Sequence, residues 1–121
     1  MFTRIGAAVI AAAALTTLVT PSAMADDKIK GNCGPKICMA AKIRYEQGYW
    51  PRIEDMTVST RDGGRVDLRG VSAAVGGGFD QWEKNSSKKF WNVGQSRYWG
   101  AEICGEGWTN GRMIDRTCVE V

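Results

Sequence analysis

The chain contains no histidine. That absence removes the commonest general base, the usual partner of a serine or cysteine nucleophile, and the commonest metal ligand. No C-x-x-C pair occurs among its four cysteines, Cys33, Cys38, Cys104 and Cys118, so a zinc site built from all four thiolates lacks its usual spacing. No charge of one sign dominates. There are 16 Lys+Arg against 13 Asp+Glu, a net of +3, and the signs are interspersed. That excess is too small to argue for nucleic acid or an anionic membrane as partner. The chain also lacks an apolar run long enough to cross a bilayer, which takes ~20 residues. What remains for an enzyme is carboxylate chemistry. The candidates, Glu54-Asp55, Asp80 with Glu83 and Glu102 with Glu106, are scattered, and such pairs occur in nearly any protein.

The first 25 residues say where the protein works. Arg4 supplies a positive start, residues 5–19 are uncharged and apolar, and Pro21 breaks the run. Ala23-Met24-Ala25 forms a small-x-small cleavage site ahead of Asp26-Asp27. This pattern predicts a cleavable export signal over residues 1–25, with no stable membrane anchor after cleavage, and a periplasmic or secreted protein. Residues 26–121 then make one small domain. A domain of that size buries a modest fraction of its surface and often needs staples. An even cysteine count in an exported chain reads as two disulfides.

Residues 26–31 are polar and predict a frayed N-terminus, and Gly31-Asn32-Cys33-Gly34-Pro35 is a dense turn signal. Over residues 37–46, Ile37, Met39, Ala41, Ile43 and Tyr45 share one face and Cys38, Ala40, Lys42, Arg44 and Glu46 the other. Period two predicts a half-buried strand; the rival is a helix stopped at Gly48. Residues 56–70 read as a hairpin around Asp62-Gly63-Gly64. A three-residue loop pairs Thr60 with Val66 and Val58 with Leu68, so both apolar sets share a face. This register puts Gly64 in the left-handed conformation. Residues 71–78 stay apolar and end in Gly76-Gly77-Gly78, which lacks the Lys-Ser/Thr of a phosphate loop and reads as a loop or bulge. Asp80 and Glu83 fit a capping box and predict a short helix over residues 81–88.

Residues 90–93, 98–104 and 113–121 read as further strands, separated by Gly94-Gln95-Ser96 and by a glycine-rich loop over 105–111. Pairing the last two sets Cys104 opposite Cys118 and Ile103 opposite Val119. It also sets Glu102 against Glu120, a like-charge pair that counts against it. Four cysteines allow three connectivities; this register favours Cys104–Cys118, and Cys33–Cys38 then follows.

Two candidate sites stand out. Cys33–Cys38 would close a small ring stiffened by Pro35, with Lys36 at its tip. Such a loop loses little entropy on entering a partner's cleft, although it serves equally as a plain staple. The second is aromatic. Trp82, Trp91, Trp99 and Trp108 recur every eight or nine residues, about one strand and one turn. That spacing suggests a platform for sugar or peptide rimmed by Lys88, Lys89, Arg97 and Arg112, against the alternative of a tryptophan-rich core. Trp108, bracketed by glycines, is the tryptophan expected to be most exposed.

The Cys33-x-Pro35-x-x-Cys38 pattern before an alternating strand resembles the protruding loop of the Ivy family of periplasmic lysozyme inhibitors, which that resemblance implies would enter a lysozyme active site. That family carries His-Asp where this chain has Lys36-Ile37. Separately, Cys33-x4-Cys38-Met39-x2-Lys42 resembles the start of the TrbM/KikA family of exported conjugal-transfer proteins.

These readings converge on a mainly β domain, or α+β if the short helix forms, built on an antiparallel sheet stapled by two disulfides. The leading functional expectation is a non-enzymatic binding or inhibitor module without cofactor or metal. It would act on a protein partner such as a peptidoglycan hydrolase of the lysozyme type, through Pro35, Lys36, Trp99, Trp108 and Arg112. The alternatives are a structural component of an envelope or conjugal-transfer apparatus, and a secreted effector or toxin that binds sugar or membrane. Oligomeric state is left open.

Overall fold

The computed structural model describes residues 25–73 and 78–121. Residues 1–24, which hold all but the last residue of the expected leader, lie outside them, as do Gly76 and Gly77. Eight strands follow in chain order: β1 (Asp26–Cys33), β2 (Ile37–Tyr45), β3 (Arg52–Thr60), β4 (Val66–Ser72), β5 (Phe79–Ser86), β6 (Lys88–Ser96), β7 (Glu102–Thr109) and β8 (Arg112–Glu120). They form two four-stranded antiparallel sheets, β1-β2-β3-β6 and β5-β4-β7-β8, packed face to face. No helix occurs among the described residues.

The period-two pattern of β2 holds. Ile37, Met39, Ala41 and Ile43 are at most 3% exposed and meet Ile53, Met56 and Val58 of β3 and Leu68 and Ile103 of the facing sheet. Gly70, Gly105 and Gly107 lie opposite them on the second sheet. A Cβ on Gly105 would stand 2.8 Å from Val58 Cγ2 and 3.0 Å from Met39 Cβ; one on Gly70 would stand 2.8 Å from Met56 Sδ. These glycines let the two layers close onto branched side chains.

Several expectations are corrected. Residues 56–70 do not form a hairpin, because β3 and β4 belong to different sheets. The Thr60 N–H donates to Ser87 O (2.9 Å) and the Arg61 N–H to Lys36 O (2.9 Å), so neither is left for a β4 partner. The shared parity of Val58 and Leu68 is real, but it is satisfied across the core, where both are fully buried. Gly63, not Gly64, takes the positive φ (80°), and Gly64 instead donates its N–H to Asp62 Oδ1 (2.8 Å). The φ > 0 penalty for a β-branched residue therefore falls at Gly63.

The capping box does not nucleate a helix. Asp80 takes the Arg69 guanidinium instead, and β5 pairs along β4 with Trp82 opposite Arg69. Residues 26–31 are not frayed: β1 pairs residue by residue from Asp26↔Tyr45 to Cys33↔Cys38. Its polarity reflects an edge strand with little core contact. Gly94-Gln95-Ser96 lies inside β6, and residues 98–101 form a turn ahead of β7 rather than a strand. The glycine-rich loop is strand as far as Thr109, and the turn is Asn110-Gly111 alone. Both of those residues have positive φ (53° and 76°), as a two-residue hairpin of the primed type requires.

The β7–β8 register is the expected one, Glu102↔Glu120 included; both glutamates are exposed. Both disulfides form as read, Cys33–Cys38 and Cys104–Cys118. Closing a loop this short between Cys33 and Cys38 should stabilise the fold by about 2 kcal/mol through the unfolded state. The Cys33→Ser/Cys38→Ser pair is expected to lose that amount in urea titrations. An unchanged midpoint would mean that the β1–β2 ladder and the hydrogen bonds of Lys30 and Asn32 to β8 hold β1 without the staple.

Candidate functional site

The sandwich has two ends. One carries the stapled turn 34–36, the connection 61–65 and the turn at Asn110-Gly111. The other carries the connections 46–51 and 97–101 and the C-terminal Val121.

The predicted site divides between them. At the first end Pro35 and Lys36 are exposed, but their turn is pinned. Asp115 Oδ2 accepts from the N–H of Lys36 (2.9 Å) and of Ile37 (2.8 Å), and the Arg61 guanidinium donates to Gly34 O (3.2 Å). Gly34 is needed there, since a Cβ would lie 2.5 Å from Asp115 Oδ2. Arg112 is exposed beside the Asn110-Gly111 turn.

Trp108 is not the most exposed tryptophan. It stands in β7 on the outer face of the second sheet, half-buried against Trp82 (centroids 5.5 Å apart), and its Nε1–H donates to Glu106 Oε1 (2.8 Å). Trp91 packs under the sheet edge against Phe79. The four tryptophans therefore do not make one platform, because β5, β6 and β7 do not run side by side. Of the proposed rim, Lys88 and Lys89 begin β6 at the far end from Trp99, and Arg97 is buried.

Trp99 does belong to an aromatic surface, with neighbours the spacing argument missed. Tyr45 closes β2, Tyr49 and Trp50 sit on the next connection, and Tyr98 precedes Trp99. Trp99 stacks on Tyr45 (centroids 5.4 Å, planes 18° apart), and Trp50 meets Tyr98 edge-on at 6.0 Å. Tyr49, Trp50 and Trp99 are each 60% or more exposed. A cleft of about 480 Å³ is lined by Tyr45, Glu46, Gln47, Gly48, Tyr49, Trp50 and Trp99; a second, of about 390 Å³, by Asp26, Lys28, Lys30, Tyr45 and Trp99. Among the described residues, the buried Tyr45 hydroxyl meets no hydrogen-bond partner. The repeated Tyr-Trp dipeptide, 49–50 before Pro51 and 98–99 before Gly100, was the signal in the sequence that could have found this end.

Buried anchors hold both connections. The Arg97 N–H donates to Pro51 O (2.9 Å), tying one to the other. The Arg97 guanidinium donates to Ser72 Oγ, Ser72 O, Ser96 O and Gln95 Oε1, all uncharged, and its burial lowers its pKa. Gly100, at φ 86°, completes the turn that presents Trp99, and the C-terminus locks it through Val121 N–H to Ala101 O (2.9 Å).

Comparison with protein families, with curated proteins and with solved structures finds no match to this chain. The Ivy-like and TrbM/KikA-like resemblances are thus confined to the short segments that carry them.

Glu106 is 1% exposed on the outer face of the second sheet, and both its oxygens are occupied, by Arg69 and Trp108 on Oε1 and by Arg116 on Oε2. Glu102 lies four residues away along the same strand, roughly 13 Å at strand rise, beyond the spacing of paired glycosidase carboxylates. Glu102 neighbours Cys104 and Cys118, but both sulfurs are in the disulfide and offer no thiolate to a metal.

Asp80 is engaged by Arg69 at 2.7 and 2.8 Å, and this hydrogen bonding holds its carboxyl below the usual range. The stability it lends is present above the unfolded carboxyl pKa of ~3.9 and is lost as pH falls through the lower folded value. Asp80 is half-exposed, so the effect is under about 1 kcal/mol. Asp80→Asn is expected to shallow the acid-side fall of the urea midpoint below pH ~4. An acid limb identical to wild type would show that other carboxylates carry it.

Proposed function

We propose that the protein is an exported, non-enzymatic binding module whose working surface is the aromatic end. The observation that carries this reading is the gathering of Tyr49, Trp50, Tyr98 and Trp99, exposed, on two connections held by buried hydrogen bonds. Rigid aromatic side chains supply contact area at low entropic cost, and Trp and Tyr are over-represented among residues that dominate binding energy. The two disulfides suit an oxidising compartment. In such a setting, the targets at hand are the cell wall and the enzymes that cleave it. Affinity capture from an envelope extract, with Trp99→Ala and Trp50→Ala beside wild type, tests the surface. Capture lost in both variants with unchanged melting supports it, and capture unaffected by either overturns it.

A second reading rests on the stapled turn. Asp115 and Arg61 fix its backbone while the Lys36 side chain stays exposed, the condition for a rigid loop that enters an enzyme's cleft. Here the target is a cell-wall-cleaving enzyme of the lysozyme type. Inhibition of lysozyme, abolished in Lys36→Glu and retained in Trp99→Ala, would select this end of the molecule over the other.

A further inference from the structure

We infer that the aromatic end takes a β-1,4-linked pyranoside chain laid across Trp99. This rests on the aromatic end being the working surface, and it names the chemical class bound there. Trp99 has one face on Tyr45 and is still 62% exposed, so its other face is open to a ligand. The two clefts share Tyr45 and Trp99. A ligand crossing the indole therefore enters both, which suits an extended chain better than a single compact group.

The lining sets the chemistry. The first cleft adds a carboxylate and an amide, Glu46 and Gln47, to its aromatic walls; the second adds Asp26, Lys28 and Lys30. Acceptors and donors of both signs thus flank a flat apolar surface. A β-linked pyranose presents the matching pattern, a flat face of axial C–H groups ringed by equatorial hydroxyls that both donate and accept. An anionic membrane or a nucleic acid would meet carboxylates in both clefts. Tyr45 lines both clefts and backs the Trp99 indole, which holds that ring flat for a ligand on its open face.

The test follows the indole N–H signals of the disulfide-intact protein during titration with the β-1,4 tetrasaccharides of N-acetylglucosamine and of glucose. The expected result is saturable shifts of the Trp50 and Trp99 signals with at least one of the two sugars. Affinity should weaken about tenfold in Trp99→Ala and stay unchanged in Trp82→Ala, whose ring lies on the outer face of the second sheet. Shifts at Trp82 or Trp108 alone, or none with either sugar up to ~10 mM, overturn the saccharide inference. If Trp99→Ala nevertheless removes capture of a protein from the extract, the aromatic surface stands and only the ligand class falls. If Trp99→Ala changes neither measurement, both fall.

Discussion

Replacing Gly105 with valine should cost about 3–4 kcal/mol and lower the melting temperature by roughly 15–25 °C. The reason is the spacing of the two sheets. At Gly105 a Cβ alone would come within 3.0 Å of both Val58 methyls and of Met39 Cβ. These atoms sit at or next to the backbone of the opposing layer and have little room to rotate away. Valine adds two methyls to that overlap, so the layers must part, and every contact between Leu68, Ile103 and the first sheet loosens with them. Gly107→Ala gives the contrast. The obstacles there are Ile37 Cδ1 at 2.5 Å and Ile37 Cγ1 at 2.9 Å. Alanine adds a single methyl, and only one facing side chain must shift, so the loss should be smaller, about 1–2 kcal/mol. Thermal melts of the two variants with disulfides intact decide the matter. Equal losses, or a Gly105→Val protein that melts like wild type, would refute tight closure at this point.

The second large effect is expected at Glu106→Ala, about 3 kcal/mol. This side chain is on the outer face of a sheet and yet 1% exposed, because Arg69, Arg116 and Trp108 converge on it. Removing it leaves two guanidiniums side by side and an indole N–H without an acceptor. Arg69 keeps Asp80, and Arg116 is about half-exposed, so solvent limits the damage. Glu106→Gln retains an acceptor for Trp108 and should lose about half as much. Adding Arg116→Ala to Glu106→Ala should recover part of the loss, since it relieves the repulsion. Strict additivity in that double-mutant cycle would mean that Arg116 contributes nothing through Glu106.

Gly105 and Glu106 also show what the sequence conceals. A glycine spaced by single residues signals a loop when it supplies turns and a strand when another layer must come close. Nothing local distinguishes the two, so residues 105–109 read as a loop and Trp108 as exposed. Glu106 inside that segment offered no hint of burial, because its partners arrive from β4 and β8. Asp80 and Glu83 are compatible with a helix start; the Arg69 guanidinium on the neighbouring strand decides otherwise. Val58 and Leu68 fit a shared face equally well within one sheet and across two. Where the determinants are local, the reading holds. The alternation of Ile37, Met39, Ala41 and Ile43 marks β2, and the offset that pairs Ile103 with Val119 also brings Cys104 to Cys118. The aromatic end falls between these cases. Trp99 could be named, but its proximity to Tyr45 and Trp50 exists only once β2 and the 97–101 turn are folded against each other.

The crossing at residues 61–65 has a consequence for how the polypeptide can be divided. One sheet takes β1, β2 and β3 from before the crossing and β6 from after it, so that sheet is complete only when both halves of the chain are present. Each disulfide lies wholly within one half, and neither joins them. A chain cut at the exposed Asp62-Gly63 bond would therefore be two pieces held without any covalent link, by the β3–β6 ladder, the core and hydrogen bonds such as those between Asp115 and the 36–37 backbone and between Arg97 and Pro51. Such pieces would separate in denaturant without any reductant and recombine on dilution, which makes this turn a natural place to split the protein into a complementing pair.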